Sequence, residues 1–500
     1  MPQMLAIARR VLHAISLKCL SDRHRNEAGS SIPLNLNKLI HHAREIWLAG
    51  VDAVRGDRLM ERSLSLDDHF LHLGDLLIER TEFDSILIVG AGKAVASMTV
   101  AFHQIISPHI PTRGWVNVPE GTFDSCASGL VRGTIGEIKI HAARPLGINE
   151  PTEAVLEGTR EILKLVRGAG QRDLVLVVLS GGGSALLACP VDGVSLADKL
   201  AVTRLLSSAG ADIQQLNTVR KQLSLVKGGG LARASRGGRL VTLVLSDVLG
   251  DPVDVIASGP TVPDSSTADD AIDVLKRFDP EHSLPECIYD AIHRNKNVIR
   301  FPIASETIVL GNNASAVDAA GIRAESLGYS HAMNAAIACE GAAEAIGSHL
   351  ADMALSMLRD RDAGKQTPDC LITGGEPTVQ LAPPAIRGRG GRNTHLVLAA
   401  MNRLCELQID CATLDRIVIL SGGTDGEDGP TDAAGAILST GVWQAAREQT
   451  LDPKDYLMRS DSYTFFKLTG GLLITGPTDT NVCDIRVVLT EGLSSTWKTR

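Results

Sequence analysis

Short apolar runs alternate with stretches of helical spacing along the chain from about residue 85 onward. Each run is rich in β-branched residues, ends in a glycine-rich turn and is followed by an Ala- and Leu-rich stretch. The runs with their turns are SILIVGAGKA, DLVLVVLSGGGSALL, LVTLVLSDVLGD, TIVLGNNASA, DCLITGGEP and DRIVILSGGTDG. Continuous apolar strands between helices are typical of parallel sheets covered on both faces, so the pattern predicts an α/β fold.

The least regular stretch, residues 278 to 305, marks the predicted domain boundary. It carries Pro280, Pro285 and Pro302 among scattered charges, and 500 residues exceed what one hydrophobic core usually organises. We therefore expect an N-terminal α/β domain over residues 39–285 and a C-terminal one over residues 300–495. These would form two Rossmann-like lobes with largely parallel sheets flanked by helices. Because such sheets bind ligands outside the carboxyl ends of their strands, where the glycine-rich turns fall, the predicted site lies in the cleft between the lobes.

Composition and charge exclude several classes of partner. With a net charge of -9 and 3% aromatic residues, the chain has neither the cationic field nor the stacking rings of nucleic-acid-binding proteins. No apolar run reaches the roughly 18 residues that a membrane span needs. Nine cysteines without a CxxC pair are typical of reduced thiols, which favours a cytoplasmic protein. The basic residues 1–38 are predicted to be a frayed extension, with a mitochondrial transit peptide as the alternative.

The turn in VLSGGGSALL is a candidate for phosphate binding. Consecutive glycines allow backbone N–H groups to converge on an anion at the start of a helix. A tight strand-to-helix turn, in which glycine only relieves crowding, explains the same sequence equally well. The residues of this turn are Ser180, Gly181, Gly182, Gly183 and Ser184.

A second turn, VGAGKA, contains Gly90, Gly92 and Lys93. A lysine at the end of a strand is well placed to meet phosphate oxygens, with a solvent-exposed lysine as the alternative. Val95 occupies the third glycine position of a dinucleotide-binding fingerprint, and the first acid afterwards, Glu120, comes late for a ribose contact. The spacing therefore disfavours NAD, and it does not match a Walker A loop.

Two further segments carry basic residues. In LNTVRKQLSLVKGGGLA a polar stripe borders an apolar one at helical spacing, which suits a cleft wall or a solvated helix flank; its members are Asn217, Arg220, Ser224 and Lys227. The loop PPAIRGRGGRN presents Arg387, Arg389 and Arg392 among glycines, either as a clamp for carboxylate or phosphate or as a disordered basic loop.

Acidic residues follow two of the predicted strands. Asp247 and Asp251 lie in SDVLGD, and Asp425 and Asp428 lie in the small-residue stretch SGGTDGEDGPTDAAG. Carboxylates opposite phosphate-seeking loops could hold Mg²⁺ or accept a proton from an attacking hydroxyl. A solvated acidic turn is the alternative reading.

Taken together, these segments resemble the glycerate 2-kinase family with a MOFRL-type C-terminal region. The resemblance rests on SGGGSALL, NTVRKQLSLVKGGGLA, LSDVLGDPVDVIASGPT, GGEPTV, GGRN, SGGTDGEDGPTDAAGA and TGPTDTNV, which run in the family's order from about residue 40 to 490. It implies ATP-dependent phosphorylation of D-glycerate at its 2-hydroxyl, giving 2-phosphoglycerate and ADP, with Mg²⁺ and a two-lobed α/β fold. It leaves open whether the protein forms a homodimer.

The resemblance also implies roles for individual residues. Lys93 looks like the family's essential lysine, Arg392 looks like its cleft arginine, and Asp247 is the candidate for the catalytic base or a metal carboxylate. The candidate metal ligands are Asp425, Asp428 and Asp251. The candidate substrate- and nucleotide-binding residues in the glycine turns are Gly90, Gly92, Ser180, Gly181, Gly182, Gly183 and Ser184. The others are Asn217, Arg220, Lys227, Asn313, Glu376 and Thr424.

The chain departs from the family pattern in three segments. AARPLGINE, with Arg144 and Pro145, replaces the usual Gly-His-Pro-x-Pro-Asp segment; Thr394 and His395 replace Gln-Glu; and Ser460 replaces Asn. These changes bear on substrate preference and turnover. The alternatives to a kinase are an NAD(P)H-dependent hydroxypyruvate reductase and a non-catalytic sensor of phosphorylated metabolites.

Overall fold

The computed structural model describes residues 34–122, 133–145, 150–295 and 305–491. The predicted extension of residues 1–38 therefore lies outside the described residues, except for the start of helix α1 (Leu34–Ala53). In the described part of the chain, no helix combines the length and the apolar character that crossing a bilayer requires.

A seven-stranded sheet forms the centre of the first lobe. Its spatial order is β10-β9-β8-β4-β5-β7-β6, and every neighbouring pair is parallel except β6 and β7. Its strands are β4 (Ser85–Ala91), β5 (Thr112–Pro119), β6 (Thr134–Ile135), β7 (Glu137–Arg144), β8 (Asp173–Leu179), β9 (Arg239–Leu245) and β10 (Glu306–Gly311). The central strands are buried on both faces, as their continuous apolar sequences predict.

Helices cover this sheet and build a small helical layer beside it. Helix α2 (Gly56–Ser63) leads into a three-stranded antiparallel sheet, which is β1 (Leu64–Leu66), β2 (Phe70–Leu73) and β3 (Leu76–Glu79). The next helices are α3 (Val95–Ile106), α4 (Glu153–Arg167), α5 (Gly183–Leu186), α6 (Leu196–Ser208), α7 (Ile213–Gln222), α8 (Gly230–Ala234), α9 (Ala268–Phe278) and α10 (Glu286–Asn295). Side chains that accept a backbone N–H fix the starts of α4, α6, α7 and α9, and the helices α6, α7, α9 and α10 share one apolar cluster.

The second lobe contains a six-stranded sheet with the order β11-β12-β16-β13-β14-β15. Its strands are β11 (His331–Ala335), β12 (Cys370–Gly375), β13 (Ile417–Gly423), β14 (Gly435–Leu438), β15 (Leu472–Leu473) and β16 (Asp484–Thr490). Its helices are α11 (Asn313–Ser326), α12 (Ala343–Asp362), α13 (Arg392–Glu406), α14 (Cys411–Leu414), α15 (Thr440–Glu448), α16 (Pro453–Met458) and α17 (Ser462–Thr469).

The predicted α/β class with sheets between helices is confirmed, and the second sheet adds a difference in strand direction. Only β11 and β12 run parallel as neighbours there, because β16 inserts between β12 and β13 and is antiparallel to both. The carboxyl ends of β12 and β13 therefore still meet at one edge, and Asp484 at the amino end of β16 lies opposite both Gly375 and Gly423.

The two lobes differ from the predicted consecutive domains of residues 39–285 and 300–495. Strand β10 follows the predicted boundary, yet it pairs with β9 and completes the edge of the first sheet. Helix α1 packs against α11, β13 and β16 of the second lobe, and Gly50 lets it approach closely because an added Cβ would lie 2.7 Å from the Ala316 carbonyl oxygen. One apolar cluster thus joins residues of both sheets.

Candidate active site

Two neighbouring cavities lie where the carboxyl ends of the first sheet's strands face the loops of the second lobe. The first has a volume of about 440 Å³ and the second about 390 Å³. Both are lined by Lys93, Arg392 and Asp425, which therefore form a common wall. The predicted cleft between the lobes is present, and it brings Lys93 and the later aspartate together.

Lys93 is positioned by a contact between two turns of the first sheet. Its backbone N–H donates to the Gly181 carbonyl at 2.9 Å, and the next N–H, that of Ala94, donates to Ser180 Oγ at 3.0 Å. The Lys93 Nζ donates across the cleft to Asp425 Oδ2 at 2.8 Å and Glu427 Oε2 at 3.0 Å. Burial opposes the charge of Lys93, but the two carboxylates outweigh it and raise the lysine pKa above its usual value.

The glycines around Lys93 serve close packing. A Cβ at Gly90 would overlap the Val178 carbonyl of the neighbouring strand, and one at Gly92, where φ is +152°, would overlap Ser180 Oγ. The Gly183 N–H is used within the turn, where it donates to the Ser180 carbonyl at 3.0 Å. These contacts support the tight-turn reading for Gly90, Gly92 and Gly183, because none of the three leaves space for an anion at its Cα.

Gly182, by contrast, faces the second cavity together with Asp247. Its φ of +77° lies in the left-handed region, and its N–H donates to Asp247 Oδ2 at 3.3 Å. Burial, and then the neighbouring Glu376 carboxylate, raise the Asp247 pKa to about 6, against the opposing effects of the Gly182 bond and Lys93. A carboxyl with this pKa can gain or lose a proton near neutral pH.

Arg392 is the first residue of α13, and it is held by acids from two strand ends. Its guanidinium contacts both oxygens of Asp484, from Nε at 2.6 Å and from Nη2 at 3.0 Å, and it donates from Nη1 to Glu376 Oε1 at 2.8 Å. Burial opposes its charge, but Asp484 and then Glu376 raise the Arg392 pKa above its usual value. The two bonds to Asp484 therefore fix the plane of the Arg392 guanidinium at the common wall.

The acidic loop after β13 divides its carboxylates between two tasks. Asp425 and Glu427 face the cavities and pair with Lys93. Asp428 is buried, and it accepts the backbone N–H groups of Asn393 and Thr394 at 2.8 Å each, together with the Thr394 hydroxyl at 2.7 Å. The structure therefore assigns Asp428 to capping the start of α13, although it also lines the first cavity, and its role as a metal ligand stays a prediction.

Asp251, the third predicted metal ligand, is not among the residues that line the two cavities. It accepts a hydrogen bond from Asn312 Nδ2 at 2.5 Å and lines a small cavity of about 140 Å³ beside β10. Within the described residues, no group of three or more His, Cys, Asp or Glu side chains is arranged to hold a metal ion. The hard oxygens of Asp425 and Glu427 do fit Mg²⁺ that takes its other ligands from phosphates and water, because Mg²⁺ commonly binds only one or two carboxylates in such sites.

Four predicted binding residues are tied into the framework behind the cavities. Asn217 accepts from Ser258 Oγ at 3.0 Å. Lys227 is buried, and its Nζ donates to the hydroxyl of Ser184 at 2.8 Å and to the Ala257 carbonyl at 3.2 Å. Asn313 Nδ2 donates to the carbonyls of Val482 and Asp484 at 2.8 and 3.0 Å, and Thr424 Oγ1 donates to the Cys483 carbonyl at 2.7 Å. We assign these four residues to structural support, in place of the predicted ligand contact.

The remaining predicted residues line the second cavity or its turn. Gly182, Ser184, Arg220, Asp247 and Glu376 line it, together with the three residues of the common wall. Ser180 and Gly181 lie behind it, where Gly181 packs against Asn481 and an added Cβ would meet the Asn481 Nδ2 at 2.5 Å.

The departures from the family pattern fall on different sides of the cleft. Arg144 is buried and lines the first cavity. Thr394 belongs to the start of α13, His395 bonds Glu344 on α12 at 2.7 Å, and Ser460 Oγ accepts the Ala382 N–H at 3.0 Å. Arg144 is accordingly the departure that bears directly on the ligand.

Two acids of the site were missed from the sequence. Asp484 lies at the amino end of an antiparallel strand, whereas the carboxyl-end rule searches only the other end. The sequence feature that could have indicated Asp484 is its position at the end of TGPTDTNVCD, just before the apolar run IRVVL. Glu427 lies in the predicted acidic loop, and its partner Lys93 is 334 residues away, so no local spacing indicates the pair.

The similarity to known proteins covers both lobes. Residues 42–293 match the family described as Domain of unknown function (DUF4147), and residues 369–484 match the MOFRL family. The chain is 36% identical over 492 residues to a glycerate kinase of Bos taurus, covering 89% of this chain and 92% of that protein. It is 35% identical over 460 residues to a D-glycerate 2-kinase of Thermotoga maritima, covering 91% of this chain and 99% of that protein.

A solved structure agrees with these matches. The crystal structure of a glycerate kinase from Thermotoga maritima is similar to this chain with a TM-score of 0.74 and 34% identity, and the match covers 91% of this chain and 100% of that one. Identity at this level over nearly the whole length, together with the shared fold, shows that the chain belongs to the glycerate kinase family.

Proposed function

We propose that this protein transfers the γ-phosphoryl group of ATP to the 2-hydroxyl of D-glycerate, producing 2-phosphoglycerate and ADP. The observation that carries the proposal is the common wall of the two cavities, where Lys93 and Arg392 meet Asp425. Two cavities on either side of fixed cations suit two ligands that exchange a phosphoryl group between them. The names of the relatives from Bos taurus and Thermotoga maritima support the same reaction.

Lys93 and Arg392 would stabilise the phosphates. The Lys93 ammonium is already held at 2.8 Å from Asp425, so nucleotide phosphates must compete with that carboxylate for the cation. The Nε and Nη2 atoms of Arg392 donate to Asp484, and these two bonds fix the orientation of the guanidinium beside the cavity. Fixed cations of this kind stabilise charge that develops during transfer.

Asp425 and Glu427 would hold Mg²⁺ once the phosphates engage Lys93. Bound there, the metal would neutralise phosphate charge and help to orient the transferring group. Lys93 and Arg392 would bind the phosphate oxygens. In the structure Asp425 and Glu427 pair with Lys93, and Glu376 pairs with Arg392.

Asp247 is the proposed base for the glycerate hydroxyl. It lines the second cavity beside Gly182, and its pKa of about 6 leaves most of it ionised at pH 7.5. A carboxylate with this raised pKa accepts a proton more readily than one with the ordinary value of about 3.9. The proton of the 2-hydroxyl would pass to Asp247 as the hydroxyl oxygen attacks phosphorus.

Product analysis tests the reaction and its position. The purified protein is mixed with ATP, Mg²⁺ and D-glycerate, and enolase is added to convert 2-phosphoglycerate to an enol phosphate with ultraviolet absorbance. We expect absorbance without added phosphoglycerate mutase. A signal that requires the mutase would place the phosphate on the 3-hydroxyl, and absence of ADP formation would contradict the kinase proposal.

The same preparation distinguishes the reductase alternative. The glycines of the β4 turn are packed against Val178 and Ser180, which leaves no close approach for a dinucleotide pyrophosphate. We therefore expect no oxidation of NADH or NADPH with hydroxypyruvate. The homodimer and the cytoplasmic location stay predictions, for which light scattering and cell fractionation are the measurements.

A further inference from the structure

The second cavity has a basic end, by which we mean the part lined by two cations that do not belong to the common wall. Lys199 and Arg220 line this end, together with the small or apolar residues Pro151, Ala188 and Leu200. Neither cation has a role in the phosphate contacts described above, and Lys199 was not among the residues predicted from the sequence.

Lys199 is buried at a position that would normally carry an apolar residue. Helix α6 buries Lys199, Val202 and Leu206, which recur at the spacing of one helix face. The lysine is 4% exposed, and its Nζ has no hydrogen-bond partner in the described part of the protein. A buried amine without a partner is costly to the fold, so a group that binds the ligand is expected here.

The neighbours of Lys199 add positive charge. Arg220 donates to Ser184 Oγ at 2.6 Å and is directed by Asn217, and buried Lys227 donates to the same hydroxyl at 2.8 Å. Among the described residues, neither Lys199 nor Arg220 has a carboxylate within ion-pair distance, and Glu150 in this cavity is paired with Arg204 at 2.7 Å. Burial, and then the Arg220 charge, lower the Lys199 pKa to about 7. In the described part of the chain, the basic end therefore has no carboxylate paired with its two cations.

The proposed base Asp247 and the cation Arg220 both contact one short turn. The Gly182 N–H contacts Asp247 at 3.3 Å, and two residues later Ser184 Oγ contacts Arg220 at 2.6 Å. A 2-hydroxy acid carries its hydroxyl and its carboxylate on adjacent carbons, which matches a base and a cation that contact residues only two positions apart in one turn. The first cavity, lined by Pro119, Pro430, Pro477 and Arg144, is left for the nucleotide.

On these grounds we infer that Lys199 and Arg220 form the subsite that binds the carboxylate of the acceptor acid, with Lys199 as the residue that selects a charged acid over a neutral polyol. The inference rests on the proposed function for the identity of the acid. It assigns the second cavity to the acceptor and the first to the nucleotide.

Equilibrium titration tests this assignment without depending on turnover. Wild-type protein and the variant Lys199→Met are titrated calorimetrically, first with D-glycerate and then with ATP and Mg²⁺. Loss of a charge-assisted contact predicts roughly tenfold or greater weakening of D-glycerate binding. ATP affinity should change less than about twofold, and the neutral methyl ester of D-glycerate should bind both proteins equally weakly.

Three controls separate binding from structure. Lys164→Met changes an exposed lysine of α4, whose side chain is 76% exposed, and should leave both affinities unchanged. Lys199→Met removes a buried amine that has no partner, so its apparent melting temperature should equal or exceed that of the wild type; a purely structural lysine would lower it. Lys199→Arg keeps the charge and should recover part of the affinity for D-glycerate.

The outcomes distinguish a failure of the carboxylate subsite from a failure of the proposed kinase activity. Unchanged D-glycerate affinity in Lys199→Met would overturn the inference, and an equal loss of ATP affinity would reassign the subsite to a phosphate. Lys199-dependent binding without turnover by the wild type would overturn the kinase proposal alone. Turnover by the wild type with an unchanged KM for D-glycerate in Lys199→Met would overturn the inference alone, and a wild type that neither binds D-glycerate nor turns it over would overturn both.

Discussion

At the scale of single residues, Lys93 of the first lobe forms ion pairs with Asp425 and Glu427 of the second lobe. We predict that Lys93→Ala lowers kcat by at least about 10²-fold, because a cation that stabilises the transferring phosphoryl group is lost. Steady-state kinetics with saturating ATP and D-glycerate are the measurement. Lys164→Ala is the matched control on the exposed face of α4. Near-normal turnover of a correctly folded Lys93→Ala protein would remove Lys93 from the mechanism.

Asp247 gives a second prediction, which concerns stability and pH. The folded protein raises the pKa of this carboxyl to about 6 from the ordinary 3.8, so the folded state holds the proton more tightly than the unfolded state. Its contribution to stability is therefore full below about pH 4 and is lost as the pH rises through 6. Asp247→Asn removes that loss, which is on the order of 3 kcal/mol for a pKa shift of about two units.

The measurement is the apparent melting temperature of both proteins at pH 8 and pH 4.5. Asp247→Asn should melt at a higher temperature than the wild type at pH 8 and show little advantage at pH 4.5, while its turnover falls. An equal advantage at both pH values would contradict the raised pKa. The expected result, an advantage at pH 8 alone, would show that a site tuned for proton transfer costs stability.

At the scale of elements, two acids of the loop after β13 have different roles. We expect Asp428 to support the start of α13 and Asp425 to act in the site. Asp428 caps this helix with its buried carboxylate, whereas Asp425 faces Lys93. We predict that Asp428→Ala lowers the apparent melting temperature by several degrees and leaves the Mg²⁺ concentration for half-maximal activity unchanged, because buried N–H groups lose their acceptor. Asp425→Asn should raise the Mg²⁺ requirement with little change in melting. The reverse pattern would make Asp428 the metal ligand.

The strands and turns that carry the site could be predicted from their sequences, and some of the contacts between them could not. Runs such as SILIVGAGKA and DRIVILSGGTDG form β4 and β13 as expected, because a buried strand needs a continuous apolar sequence. The partner of Arg392 could not be predicted, since Asp484 reaches it only through the antiparallel insertion of β16. Lys199 was likewise hidden, because a lysine in a helix is usually exposed.

At the scale of the whole molecule, the lobes are interleaved along the chain. Helix α1 comes first and packs on the second sheet, while β10 follows the predicted boundary and belongs to the first sheet. We predict that a fragment of residues 39–285 unfolds without cooperativity and is quickly proteolysed, because it exposes the edge of β9 and the apolar face of α1. A fragment of residues 56–312 keeps all seven strands and is the matched comparison.

Circular dichroism melting and limited proteolysis of the two fragments are the measurements. Greater protection of the fragment 56–312 is the expected result, and equal or greater protection of 39–285 would restore the division at residues 285 to 300. The proline-rich stretch predicted that division because residue composition indicates where a chain lacks regular secondary structure. It does not record which sheet the next strand joins.

Strand β16 has a consequence for the order in which the protein becomes competent during synthesis. It is the last strand of its sheet along the chain, yet it occupies the middle of that sheet and brings Asp484 to Arg392. A ribosome that has translated the first 480 residues has therefore made Lys93, Asp247 and Arg392 but cannot yet orient the arginine. Products truncated before residue 484 should therefore be inactive, because they lack the aspartate that orients Arg392.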